Sequence, residues 1–334
     1  MSIAGSARAR VWRQWVLLAM FFTTGLLTAC GGGGSGDAGP VAPSVTSQPQ
    51  SASVPAGRSA TFTVSASGTA PLTYQWQRDG AAIPSATSAS YTLGNAQLRD
   101  SGAAFVAVVS NAAGQASSAK ATLTVTPVAP TISTQPVDQA VPAAQSATFS
   151  VVAAGTPTPT YQWQRNGTNI PGATVAAYTL DNVQLTDSGA LIAVVVSNSA
   201  GSATSSTATL TVNPVAPVIA VQPGSQTTPA GHPAIFSVTA TGIPAPTYQW
   251  QRDGTNIPGA ISSGLALSNV LLSDSGAIYT VVVSNDGGSV TSNAATLTVT
   301  PVAPTITAQP ANQTVPAGQS ASFAVAATGA PAPS

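Results

Sequence analysis

Nucleophilic catalysis needs a base beside its nucleophile, and this chain of 334 residues contains one histidine, His232, and one cysteine, Cys30. His232 falls in a turn-forming stretch whose counterparts elsewhere in the chain carry Arg58, Gln145 and Gln319. A position filled so freely is expected to be a solvated turn rather than a catalytic base. All nine acidic residues are Asp, and three of them, Asp100, Asp187 and Asp274, open an Asp-Ser-Gly triplet. Paired-carboxylate chemistry requires two carboxylates within several ångströms; a lone Asp at a corner instead caps backbone N–H groups. No acidic loop has the ligand density of a calcium loop, and one cysteine with one histidine cannot build a zinc site. No catalytic residue, metal or cofactor is expected.

The elements that hold these residues repeat. Tyr74-Gln75-Trp76-Gln77-Arg78 returns unchanged at Tyr161 to Arg165 and at Tyr248 to Arg252, a spacing of 87 residues both times. With side chains alternating along a strand, the Tyr and the Trp share one face, which must be buried. Asp79-Gly80, Asn166-Gly167 and Asp253-Gly254 follow directly and favour a two-residue primed turn into the next strand. Upstream, Phe62, Val64 and Ala66 alternate with Thr61, Thr63 and Ser65, and Phe149 and Phe236 head the equivalent strands. The predicted core therefore centres on Trp76, Trp163 and Trp250 with Phe62, Phe149 and Phe236. Downstream come Tyr91 and Leu93, the Asp-Ser-Gly corner, a Val-rich strand ending in Ser-Asn, and a closing strand such as Ala121 to Val125.

Pro40-Val41-Ala42-Pro43 recurs at Pro127, Pro214 and Pro301 in the same register. These positions divide the chain into repeats 41–126, 127–213 and 214–300, and a partial fourth unit, 301–334. Two prolines in four residues predict short, extended, semi-rigid spacers. A Gln-Pro pair follows each, as at Gln48-Pro49, with Pro expected on an edge strand. The partial unit stops where the next Tyr-Gln-Trp is due. It is expected to leave Phe323 and Val325 without cover, and the chain is expected to be a fragment of a longer protein rather than one that ends in a disordered tail.

The first forty residues have a different character. Arg8, Arg10 and Arg13 precede an apolar run from Val16 to Ala29, 14 residues, which is short for a membrane span and suited to a signal peptide. Leu27-Thr28-Ala29-Cys30 resembles the lipobox of bacterial lipoproteins. The resemblance implies cleavage after residue 29, lipidation of Cys30, membrane attachment through that lipid, and, with Gly31 next, sorting to the outer membrane of a bacterial envelope. Residues 30–40 then form the lipidated Cys and a Gly-rich flexible tether. Loss of residues 1–29 leaves six basic and nine acidic side chains, a balance that offers nucleic acid no basic patch.

A strand bearing a core Trp, an Asp-Ser-Gly corner and a strand ending in Ser-Asn, all within one repeat, resemble the immunoglobulin fold, nearest to the I-set-like domains of bacterial surface proteins. Fibronectin type III, the other sandwich considered, carries its signature Trp on an earlier strand. The resemblance implies an all-β chain of tandem immunoglobulin-like β-sandwich domains. The family's intersheet disulfide positions match Val64 with Ala107, Val151 with Val194 and Val238 with Val281, so each repeat must hold together without that bridge. Burying a Val contributes about 1.5–3 kcal/mol against about 2–5 kcal/mol for a native bridge. Repeat 1, with Ala107, is expected to be the loosest. The family's corner tyrosine survives only as Tyr279, the other repeats having Phe105 and Ile192.

By strand parity, the outer face of the Trp-bearing sheet displays Gln75 and Gln77, Gln162 and Gln164, and Gln249 and Gln251, beside Val106, Val108, Thr122 and Thr124. This neutral face is the candidate contact surface for a protein or glycan partner, although an ordinary uncharged sheet surface presents the same residues. The expected function is that of a non-catalytic envelope lipoprotein: a rod of repeats that serves as an adhesion or binding module or as a spacer. The alternative is the accessory arm of a secreted or surface enzyme.

Overall fold

The structure, a computed structural model, describes residues 39–334, so the leader and Cys30 lie outside the described residues. Repeat 1 shows the plan. Its strands are β1 (Ser44–Ser47), β2 (Ala52–Pro55), β3 (Ala60–Thr63), β4 (Ser65–Ser67), β5 (Thr73–Arg78), β6 (Ala81–Ala82), β7 (Ser90–Leu93), β8 (Ala104–Asn111), β9 (Gly114–Ser117) and β10 (Ala121–Thr126). One sheet runs β2, β10, β8, β5, β6, with β9 also paired to β8. Facing it, β1 pairs with β4 and β7 with β3; β3 and β4 are two halves of one line interrupted at Val64. The same plan returns 87 residues on in repeats 2 and 3. This is an all-β chain of tandem immunoglobulin-like sandwiches.

The alternation of apolar and polar residues sets the core. Trp76, Trp163 and Trp250 are fully buried, as are Phe62, Phe149 and Phe236. Each indole satisfies its polar edge by donating Nε1–H to a backbone carbonyl: Ser88 at 3.0 Å, Val175 at 2.9 Å and Ser262 at 2.9 Å. Val64 and Ala107, Val151 and Val194, and Val238 and Val281 lie within the three core clusters. In repeat 1 the small Ala107 has company that sequence reading did not weigh. Phe105 stacks on Phe62 at 4.4 Å, and Tyr91 lies 5.7 Å from Phe105. Such ring pairs add about 0.5–1.5 kcal/mol beyond their area. Repeat 2 has Ile192 in the place of Phe105, and repeat 3 regains a ring there, Tyr279 on Phe236 at 4.7 Å.

The turn after the Trp strand takes the expected form. Asp79 and Gly80 both have positive φ, 51° and 85°, and Arg78 pairs with Ala81 across them. A two-residue loop of this kind matches the twist of the strands it joins.

Two expectations need correction. The Gln-Pro pair lies in no edge strand. It occupies the crossover between β1, which belongs to one sheet, and β2, which runs parallel to β10 in the other. Proline fits because residues in transit between sheets have no ladder partner for an N–H. Gln48 contributes as well: its Oε1 accepts the N–H of Ala119 at 2.6 Å, and Gln135 and Gln222 do the same for Ser206 and Asn293.

The second correction concerns the linkers. Repeat 1 ends its last strand at Thr126, and the first strand of repeat 2 is Val128–Thr134. Pro127 alone stands between them, as Pro214 and Pro301 do at the later junctions. The Pro-Val-Ala-Pro segment is thus the opening of the following domain, with Val128 already paired to Thr156. In the partial unit, Val302–Ala308 pairs with Ala326–Ala330, while Phe323 and Val325 are 64% and 58% exposed.

Candidate functional site

The Asp-Ser-Gly corner is the most densely bonded polar feature of each repeat. A single 3-10 turn, Leu98–Asp100, brings the carboxylate of Asp100 back to the N–H of Gln97, which donates to Oδ2 at 2.7 Å. Oδ1 accepts from Nη2 of Arg78, at the end of the Trp strand, at 2.8 Å. Asp187 with Gln184 and Arg165, and Asp274 with Leu271 and Arg252, repeat the arrangement with the ion pairs at 2.7 and 2.9 Å. The bond from the turn N–H and then the guanidinium hold the carboxyls of Asp100 and Asp187 below the usual range; at Asp274 the same two interactions outweigh its partial desolvation. Ser101 takes the next step. Its hydroxyl accepts the N–H of Val125 at 3.0 Å, as Ser188 and Ser275 do for Val212 and Val299. Gly102, with φ near 90°, then donates to the carbonyl of Leu123 at 2.8 Å. The triplet therefore ties the Trp strand, the corner and the closing strand together. Among the described residues, no cluster of three His, Cys or Asp side chains is placed to hold a metal ion.

The Gln face differs from its expected form. Gln75 lies on the outer side of β5 but folds its amide onto the hairpin edge, donating to the carbonyls of Trp76 at 2.9 Å and Ile83 at 2.7 Å. Gln162 and Gln249 do the same to Trp163 and Ile170 and to Trp250 and Ile257. These three residues seal the hairpin, and their donors are already used, so they are not the free contact groups that parity suggested. Gln164 and Gln251 reach across the turn to Asn169 and Asn256 at 2.8 and 2.9 Å. Gln77 faces Ala82, which cannot answer it in kind. Val106 and Val108 are half-buried beside them.

His232 is exposed, as a turn residue should be. Its N–H donates to Pro229 and its carbonyl accepts from Val270, both at 3.2 Å. The turn borders a crevice that includes Leu271 and Leu272 of repeat 3 and Val302 and Ala330 of the partial unit. The histidine thus belongs to a domain junction.

Two residue sets escaped sequence reading. One is Arg78, Arg165 and Arg252, whose signal was present: an invariant Arg always 22 residues before the corner Asp. The other is Asn111, Asn198 and Asn285. Nδ2 of Asn198 donates to the carbonyls of Val128 at 2.8 Å and Pro157 at 2.9 Å, while its Oδ1 accepts the N–H of Ala200. Asn285 bonds Val215, Pro244 and Gly287 in the same way. This one amide fastens the inter-repeat segment to the domain it opens.

Among the described residues no helix is long and apolar enough to cross a membrane. The family model for the immunoglobulin domain matches residues 42–111, 129–215 and 216–285. Among curated proteins, the chain is 35% identical over 182 residues to Endoglucanase C of Cellulomonas fimi, covering 52% of this chain and 16% of that one. It is 30% identical over 279 residues to Roundabout homolog 1 of Mus musculus, covering 75% and 17%. The chain thus spans well under a fifth of the length of either relative. Among solved structures, the I-band fragment I67-I69 from titin is 23% identical with a TM-score of 0.38, covering 78% of this chain and 99% of that one. With the sandwich topology repeated three times and the family model matched in each repeat, the chain belongs to the immunoglobulin-domain family.

Proposed function

We propose that this protein is a non-catalytic, lipid-anchored rod of immunoglobulin-like domains at a bacterial envelope, acting as an adhesion module or spacer. The observation that carries the reading is the way the domains join. Three complete sandwiches follow one another in strict register with one proline between the last strand of each and the first strand of the next. A chain built this way converts sequence length into reach. The polar residues are spent on internal bonds: the corner carboxylates on Arg and turn N–H groups, the Gln75-type amides on the hairpin edge. That leaves display and spacing as the roles its surface supports. Any protein or glycan partner would engage the remaining neutral face around Gln77, Gln164 and Gln251.

The anchor is Cys30 in this reading. Substitution Cys30→Ala should abolish incorporation of labelled palmitate into the protein, since the chain has no second cysteine to carry the lipid. A Cys30→Ala protein labelled as fully as the unsubstituted chain would rule out the lipid anchor.

A second reading is favoured by the similarity to Endoglucanase C: the repeats form the accessory arm of a surface or secreted enzyme. The two readings part in one measurement. A binding or spacing role persists in the repeats alone, whereas an arm shows its effect only as altered activity of a catalytic domain joined to it.

A further inference from the structure

The three junctions are built to one plan and differ in a few side chains. Each following domain presents two side chains at its leading end, from its first strand and from the strand paired with it: Val128 with Thr156, Val215 with Ile243, and Val302 with Ala330. The Asn198 and Asn285 amides fix the first member of the first two pairs by holding the carbonyls of Val128 and Val215. The pairs meet the preceding repeat differently. Val215 and Ile243 pack against the core of repeat 2. Val302 and Ala330 pack against the core of repeat 3. Val128 does not reach the core of repeat 1, and its partner there is a threonine.

The receiving side agrees. Ala143 and Ala230, in the turn that meets the next domain, are buried at 3% and 9% exposure, whereas their counterpart Ala56 is only partly covered. Beside Ala56 stands Arg58, where the later repeats have Gln145 and His232. The first junction thus sets a threonine and an arginine where the second has an isoleucine and a glutamine, around a valine and an alanine common to both. Because a single proline joins adjacent strands at each junction, the domain ends must abut at all three. Side-chain chemistry alone decides whether they adhere.

We propose that the Val215–Ile243 seam couples repeats 2 and 3 energetically, whereas repeat 1 is uncoupled from repeat 2 and the junction at Pro127 is the joint of the chain. Opening repeat 2 then exposes the seam and is opposed by it; opening repeat 1 is not opposed by repeat 2. The joint lies at the N-terminal junction, so the stiff part of the described chain begins at repeat 2. The coupling is a property of the described domains and holds whatever the chain binds or is anchored to.

Two reciprocal substitutions test this in the full chain, each introducing the residue that another repeat carries at the same place. The readout is amide hydrogen exchange followed by mass spectrometry on the strands Ala104–Asn111 of repeat 1 and Leu191–Asn198 of repeat 2. Their sequences differ, unlike the identical Trp strands. Ile243→Thr lies in repeat 3 but should speed exchange in repeat 2, by roughly fivefold for the loss of part of one aliphatic side chain's burial, and leave repeat 1 unchanged. Thr156→Ile lies in repeat 2 and should slow exchange in repeat 1. Protection of Ile278–Asn285 in the Ile243→Thr protein verifies that repeat 3 still folds, as Thr156 shows the fold permits. If Ile243→Thr leaves repeat 2 unchanged, the seam does not couple the domains; if Thr156→Ile leaves repeat 1 unchanged, the side chain at this position is not what makes the Pro127 junction the joint.

Discussion

The carboxylate of Asp187 divides its two oxygens between the N–H of Gln184 and the guanidinium of Arg165. Both partners favour the charged form, so the folded protein holds this group below the usual carboxylate range, and the same holds at Asp100 and Asp274. A carboxyl depressed in the folded state contributes stability that is present above its unfolded value, about 3.9. That contribution is lost as the pH falls through the folded-state value. The repeats should therefore keep constant stability from neutral pH to about pH 4 and weaken below it. Asp187→Asn removes the charge but keeps the shape. It should cost repeat 2 about 1–2 kcal/mol at pH 7, since the pair is partly solvent-screened, and almost nothing near pH 2. Chemical denaturation at the two pH values measures both. A cost that persists undiminished at pH 2 would mean that Asp187 acts through packing alone.

At the scale of strands, the first strand of each repeat lies unusually close to its neighbour. A Cβ on Gly155 would sit 3.1 Å from Cα of Pro130 and 3.0 Å from Nδ2 of Asn198. The first of these is backbone and cannot swing aside. Gly155→Ala should therefore push the opening strand off its partner and destabilise repeat 2 by about 1–3 kcal/mol, the usual cost of overpacking. Gly224→Ala is the control: nothing lies within 4 Å of a Cβ there and its φ is not positive, so its effect should stay within about 0.5 kcal/mol. Thermal unfolding of the two variants distinguishes close approach from a general loss of glycine flexibility.

This close approach shows what could be read in advance and what could not. The Trp strand, its Asp-Gly turn and the alternation around Phe62 are local patterns, and the sandwich and its repeat length follow from them. The inner or outer side of Gln75 was also legible from parity. Its bond to Ile83 was not, because that depends on how far the hairpin edge curls toward it. The Asn198 bond to Val128 spans 70 residues, and no local pattern announces a contact of that separation. The linkers were misjudged for the same reason. Pro-Val-Ala-Pro favours extended backbone whether free or paired, and only the Asn amide and the partner strand decide that it is paired.

For the molecule as a whole, the consequence of one-residue junctions is length. A strand of six to eight residues rises about 3.3 Å per residue, so with its end loops each sandwich should measure roughly 35–40 Å. Placed end to end with only Pro127 and Pro214 intervening, three repeats should reach on the order of 105–120 Å, and a rod of that length has a radius of gyration of about 30–35 Å on the same rise per residue. A collapsed arrangement of the same 41–300 segment should scatter as a globule, with a radius near 18 Å by the size scaling of compact domains. Small-angle X-ray scattering separates the two. The Pro127 joint refines the expectation: bending there folds one repeat back against two, which shortens the mean dimension but still leaves the stiff pair far longer than it is wide. A measured radius near 18 Å would require repeats 2 and 3 to fold onto each other as well as onto repeat 1, which would cover the neutral faces around Gln77, Gln164 and Gln251, and the spacer reading and the stiff 2–3 pair would fall together.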